Sequence, residues 1–190
     1  MTWDSAFEIA FRPRAIAVVG VSNSPPRNNG PFDGLTSFYN IRDAGFSGHL
    51  YPVNPKVGEI NGIKAYPSVS SIPEPVDLVV VAVPAAIVFQ VLEDCVAAGA
   101  LNVHLMTSGF GETGQKEGKK LAAAVREIIQ RGKLRLVGPN CMGLQIPAMG
   151  IGTFDIKSLP VGPVSFVSQS GSHVSTLLRF GPVFGIGCSK

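Results

Sequence analysis

Short, uninterrupted apolar runs alternate along the chain with segments in which apolar residues return every third or fourth position. AIAVVG (Ala15–Gly20) is the first such run, and its β-branched residues followed by glycine predict a strand. Leu35, Phe38, Tyr39 and Ile41 keep helical spacing within LTSFYNIRDAGF (Leu35–Phe46), which stops at Gly45 as helices commonly do. HLYPVNP (His49–Pro55) reads as the next strand. DLVVVAVP (Asp77–Pro84) is apolar without alternation, the mark of a strand covered on both faces. A helix over Ala85–Ala100 leads to strand NVHLMTSG (Asn102–Gly109). A further helix, roughly Gln115–Arg131, leads to strand LRLVGPN (Leu134–Asn140).

Strands separated by helices predict parallel neighbours with right-handed crossovers. The expected fold is therefore α/β, a doubly wound, mainly parallel, Rossmann-like sheet. Ligands of such sheets bind beyond the carboxyl ends of the strands. Here those ends are Gly20–Ser24, Asn54–Lys56, Val83–Pro84, Thr107–Gly109 and Gly138–Cys141, and the unusual residues of the chain collect in them. After Leu144 the pattern lapses into QIPAMGIGTFDIKSLPVGP, rich in Gly and Pro, which reads as a linker. The expected organisation is a first domain over 1–147, a linker over 148–160, and an incomplete second strand–turn–helix unit over 161–190.

Composition narrows this picture. A chain of 190 residues suits one domain plus a fragment. The 45% hydrophobic and 15% charged residues suit strands covered on both faces. A net charge of +3 with scattered Lys and Arg argues against nucleic acid and for a local anion site. Cys95, Cys141 and Cys188 are odd in number and unevenly spaced, so neither a disulfide framework nor a zinc ribbon is expected. With no signal-peptide pattern and no long apolar span, a soluble cytoplasmic protein without a membrane partner is expected.

The strand ends carry the candidate chemistry. Gly20 permits a tight turn, and the N–H groups of the loop after it can face a phosphate, with Ser22, Asn23 and Ser24 adding donors. Dinucleotide-binding turns need further glycines here and an acid after the second strand. This chain instead places Lys56 in that corner, which suits the phosphorylated ribose of NADP or coenzyme A. Pro84 could offer an apolar wall to adenine, or could simply open a helix. Met106–Phe110 can meet the amide chain of a ligand. VGPNCMG (Val137–Gly143) offers the Asn140 amide and a Cys141 thiol with no histidine close in sequence, so an inert thiol is expected. His49, His104 and His173 lack metal-like spacing, and His104 reads as a core residue. Within SQSGS (Ser168–Ser172), Ser168, Ser170 and Gly171 suggest either a phosphoryl site or a helix N-cap.

AIAVVGVS, GFSGHLYPVNPK, IPEPVDLVVVAVPA, SGFGE, LRLVGPNCMGL and VSFVSQSG, in this order, resemble the N-terminal part of the ADP-forming acyl-CoA synthetases. That family includes ADP-forming acetate–CoA ligases and the α subunit of succinyl-CoA synthetase. The resemblance implies a CoA-binding domain followed by the start of a flavodoxin-like ligase domain. It implies that Ser22, Asn23, Ser24 and Pro25 line the CoA phosphates beyond Gly20, and that Lys56 pairs with one of them. It implies that Val83 and Pro84 flank adenine, and that Met106, Thr107 and Ser108 meet the rest of CoA. Gly138–Cys141, including Asn140, and Ser168–Gly171 would border the place where a phosphohistidine loop visits. The loop SNSPPRNNGPFDG is longer than the family's usual one. The family's phosphohistidine lies farther along than Lys190, and its ATP-grasp part, which binds ATP and Mg, is absent from this chain. The implied partners are CoA and an ATP-grasp subunit or domain, with a second copy of the chain left open. Two alternatives are a regulatory CoA-binding module of a protein acetyltransferase and an NADP-dependent oxidoreductase.

Overall fold

The computed structural model describes residues 8–23, 33–153 and 159–190. Strand β1 (Ala15–Val19) is buried at every position. Helix α1 (Gly34–Asp43) follows, with Asp33 as its N-cap, and β2 (His49–Val53) comes next. A hairpin of β3 (Glu59–Ile60) and β4 (Ile63–Lys64) then precedes β5 (Leu78–Val81). Helix α2 (Val88–Ala97), β6 (Asn102–Leu105), α3 (Lys116–Gly132) and β7 (Arg135–Val137) complete the alternation. The sheet has five strands in the order β2-β1-β5-β6-β7, and every pairing in it is parallel. The α/β doubly wound reading of the sequence therefore stands.

The apolar runs are buried because both faces of the sheet are covered. Val79, Val81, Val103 and Leu105 pack with Leu92 and Cys95 of α2 and Val125 and Ile128 of α3. Ile16, Val18, Leu78 and Val80 point the other way, onto Phe38 and Ile41 of α1. At the amino ends of β1 and β5, Asp77 accepts hydrogen bonds from Arg14: from the backbone N at 2.8 Å, Nε at 3.0 Å and Nη2 at 3.1 Å. Burial pushes the Asp77 carboxyl up, but these bonds outweigh it and hold the group below the usual carboxylate range.

The stretch after Leu144 is more structured than its Gly/Pro content predicts. β8 (Gln145–Ile146) and β9 (Ile151–Gly152) form an antiparallel hairpin, and Ile146 and Ile151 are buried in the α1-side core. Two apolar residues suffice to dock so short a hairpin, and they are too few to register as periodicity. Beyond it come β10 (Val161–Val164) and α4 (Gly171–Phe180). Cys188 bridges in parallel to Val161 and Val164. Only Leu159, Leu178 and Cys188 are buried in that cluster.

Candidate functional site in the crevice along the strand ends

The sequence order of the strands reverses at β1. The chain first moves outward to β2, then returns to the other side of β1 as β5. A crevice opens at such a switch point, because the connections leave the strand ends in opposite directions. Gly20 closes β1 there with φ +100, and a Cβ on it would lie 2.3 Å from the Ala82 carbonyl oxygen. Its N–H donates to Val53 O at 3.0 Å, while the Ala82 N–H donates to Val19 O at 3.0 Å. Gly34, the first residue of α1, approaches just as closely, since its Cβ would lie 2.6 Å from Gly20 C and O. Only glycines let the turn, the helix start and the neighbouring strand meet in this way.

Asn54, after β2, ties two strand ends together. Its Nδ2 donates to Val21 O at 2.7 Å, and its Oδ1 accepts from the Lys56 N–H at 2.9 Å. The Lys56 side chain is exposed at this corner. Sequence reasoning singled out Lys56 and passed over Asn54 as a positioning residue. The available signal was an Asn ahead of Pro, a type of residue that bonds nearby backbone. Asn23 is exposed and donates from Nδ2 to Glu59 O at 3.5 Å, while Ser22 is half-buried. Ser24 and Pro25 lie outside the described residues.

Farther along the edge, Val83 is buried and Pro84 exposed. Pro84 stands as the N-cap of a 3-10 turn over Ala85–Ile87 rather than inside the first turn of α2. The Thr107 Oγ1 donates to Val83 O at 2.6 Å, and the Asn140 N–H donates to Thr107 O at 2.9 Å. These bonds couple the ends of β5, β6 and β7. Ser108 is exposed beside them. Met106 is different: its side chain is buried in the α1-side core, where Sδ accepts from Ser37 Oγ at 3.5 Å. It therefore has only backbone to offer the crevice, because the strand alternation that turns Thr107 outward turns Met106 inward.

Gly138 has φ +118, and a Cβ on it would lie 2.3 Å from Leu105 O. Asn140 is exposed with φ +55. Cys141 accepts from the Gly143 N–H at 3.2 Å, and burial pushes its thiol up, away from the reactive thiolate. His104, at 6% exposure, has its imidazole pushed down to about 4 by burial, as expected of a core residue. A groove of about 420 Å³ runs beside the crevice between α3 and β7, and Phe110, Glu112, Gly138 and Pro139 line it on the crevice side.

The two phosphate-type loops differ. Ser170 caps α4, accepting from the His173 N–H at 3.4 Å, and its own N–H donates to Ser168 Oγ at 3.0 Å. A Cβ on Gly171 would lie 1.6 Å from Met142 Sδ, so this loop packs directly on Met142. Ser168, Ser170 and Gly171 thus gather at the β7 end, while Gly20 and Lys56 gather at the β1/β2 end. Lys56 and Asn140 follow the outermost strands, so four inter-strand steps of about 4.8 Å separate their strands, roughly 19 Å in all. The crevice suits an elongated ligand with an anionic end.

Residues 14–147 match the family model of the CoA binding domain. The chain belongs to the CoA binding domain family. CoA binding domain relatives include the ADP-forming acetate–CoA ligase of Methanocaldococcus jannaschii, 35% identical over 99% of this chain and 26% of that protein. The α subunit of ADP-forming acetate–CoA ligase I from Pyrococcus furiosus is 38% identical over 97% of this chain and 40% of the relative. The chain thus spans well under half the length of these curated relatives. Among solved structures, the dinucleotide-forming acetyl-coenzyme A synthetase 1 of Ca. Korarchaeum cryptofilum, in complex with phosphate and ADP, superposes with a TM-score of 0.87. It is 35% identical over 96% of this chain and 38% of its own. Within this CoA binding domain, no described helix is long and apolar enough to cross a membrane. No described group of His, Cys, Asp and Glu could hold a metal ion.

Proposed function

We propose that the chain binds coenzyme A along the carboxyl edge of the sheet, as the CoA-binding part of an ADP-forming acid–CoA ligase. The observation that carries this reading is the pairing of a glycine-closed turn at the switch point with an exposed lysine one strand away, whose side chain has no partner among the described residues, in a chain of this family. The phosphates of CoA lie against the loop after Gly20, with Ser22 and Asn23 at hand, and Lys56 pairs with the 3′-phosphate. Val83 and Pro84 flank adenine. Thr107 and Ser108 receive the amide-bearing tail, whose thiol end reaches toward Asn140. A span of roughly 19 Å matches a ligand that is long, narrow and charged at one end.

In the whole enzyme the reaction is acid + CoA + ATP to acyl-CoA + ADP + phosphate. The phosphoryl-carrying histidine and the ATP-grasp part belong to other portions of that enzyme or to a partner subunit. Residues 161–190 begin its second domain, and Ser168, Ser170 and Gly171 border the phosphoryl path. What this chain supplies is positioning: it holds the thiol at one fixed place relative to that path. The enzyme works in the cytoplasm.

Calorimetry with CoA and dephospho-CoA tests the reading. The wild type should prefer CoA, and Lys56→Ala should lose about 1.5 kcal/mol, roughly tenfold in Kd, and cease to distinguish the two ligands. Equal binding of both ligands by the wild type removes the Lys56 pairing. A thermal shift with NADPH but not with CoA replaces the reading with the oxidoreductase alternative.

A further inference from the structure

The SGFGE segment, Ser108–Glu112, contains an acid that the crevice residues do not use. The Glu112 carboxylate accepts from two consecutive backbone amides, Gly109 N–H at 2.6 Å and Phe110 N–H at 3.1 Å. The turn it holds stands between two rigid pieces of structure. Upstream, Thr107 is tied to β5 through Val83 O and to β7 through the Asn140 N–H. Downstream, the Phe110 side chain is fully buried, and its carbonyl accepts from Thr113 Oγ1 at 2.9 Å. Helix α3 presses on that carbonyl so closely that a Cβ on Gly118 would lie 2.1 Å from it.

Ser108 and Gly109 are the residues left between these fixed ends. Gly109 has φ +104, and the nearest atom to its would-be Cβ is Ala85 Cβ at 3.7 Å, so packing does not define its conformation. The restraint on it is the carboxylate. Bonds from N–H to an ionised acceptor are roughly twice as strong as neutral ones, and two on one group fix orientation as well as distance.

We propose that Glu112 is a positioning residue for the crevice: it latches the Gly109–Phe110 turn, so that Ser108 and Thr107 are preformed for the amide-bearing tail of CoA. This rests on the CoA reading above. Gly20 and Lys56, which hold the phosphates at the adenosine end of the ligand, follow β1 and β2, away from the latch; toward the adenine wall Gly109 makes only ordinary van der Waals contact with Ala85, beside Pro84. Glu112 therefore affects one half of the ligand selectively, which a general loss of stability would not do.

The test is calorimetry on the 190-residue chain with two probes, CoA and adenosine 3′,5′-bisphosphate. Glu112→Ala should weaken CoA about tenfold and leave the bisphosphate within about twofold. Glu112→Gln, which keeps one acceptor oxygen, should fall between. Added formate should restore part of the CoA affinity of Glu112→Ala by occupying the vacated amides. Unchanged CoA affinity in Glu112→Ala overturns the proposal, and so does an equal loss for both probes. A wild type that binds neither probe overturns the CoA reading itself. Amide hydrogen exchange without ligand then judges the latch alone: faster exchange at Gly109 and Phe110 in Glu112→Ala supports it, and unchanged exchange removes it.

Discussion

Gly20→Ala is the most direct test of the switch-point geometry. The new methyl carbon would lie 2.3 Å from Ala82 O and 3.0 Å from Val83 Cγ1, at a residue whose φ is +100. The left-handed conformation alone costs a non-glycine residue about 1–2 kcal/mol. Relief of the contact requires β1 and β5 to separate at their ends, which breaks the 3.0 Å bond from the Ala82 N–H to Val19 O. That loss adds about 1 kcal/mol. The expected cost is about 2–3 kcal/mol, which for a chain of this size lowers Tm by about 5–10 °C. Urea unfolding followed by far-UV circular dichroism measures it.

Gly62→Ala is the internal control. Gly62 has φ +82 with nothing within 4 Å of its would-be Cβ, so only the conformational cost of about 1 kcal/mol applies. The difference between the two variants isolates the close approach. A Gly20→Ala variant no less stable than Gly62→Ala would refute the claim that the strand ends are in backbone contact. CoA titration of the same variant should reveal weakened binding, because the loop after Gly20 must move with the turn.

Two further outcomes follow from the core. The His104 imidazole is pushed down to about 4, against 6.5 when free, so the unfolded chain binds more protons between those values. Stability should therefore fall as pH drops from about 6.5 to about 4, by about 3 kcal/mol from this residue, and His104→Leu should flatten that part of a pH series of urea unfolding curves. Phe110 is fully buried beneath the Glu112 turn; Phe110→Ala should cost about 3–5 kcal/mol in the same assay, and a loss under about 1 kcal/mol would contradict its place in the core.

Much of the sheet was legible because burial on both faces forces continuous apolar runs. Asp77–Pro84 and Ala15–Gly20 could be read without knowing their neighbours, and both became central strands. Ends were less legible. The segment Asn102–Gly109 reads as one strand, yet the ladder closes at Leu105, where the chain turns to form the crevice. The β3–β4 hairpin escaped notice because each strand is so short. Its turn, Asn61-Gly62 with φ +48 and +82, is the dipeptide that such hairpins favour.

Side-chain direction was legible only in part. Met106, Thr107 and Ser108 are contiguous and polar or flexible enough to suggest one contact surface. The pleat sends Met106 into the core and leaves Thr107 and Ser108 at the rim. Glu112 entered the sequence reading only as the last residue of SGFGE. Its role depends on two amides that the turn brings within 3.1 Å, and no spacing rule announces that.

The sequence by itself determined the alternation of strands and helices, the glycine at the first turn and the absence of an acid after the second strand. These are local properties, written in the order of residue types. The tertiary structure alone decided which strand ends lie side by side, that Asn54 and Thr107 bond across them, and that the Ser168–Gly171 loop packs on Met142. Such contacts join residues far apart in the chain, and their geometry follows from sheet order and packing, which local patterns do not encode.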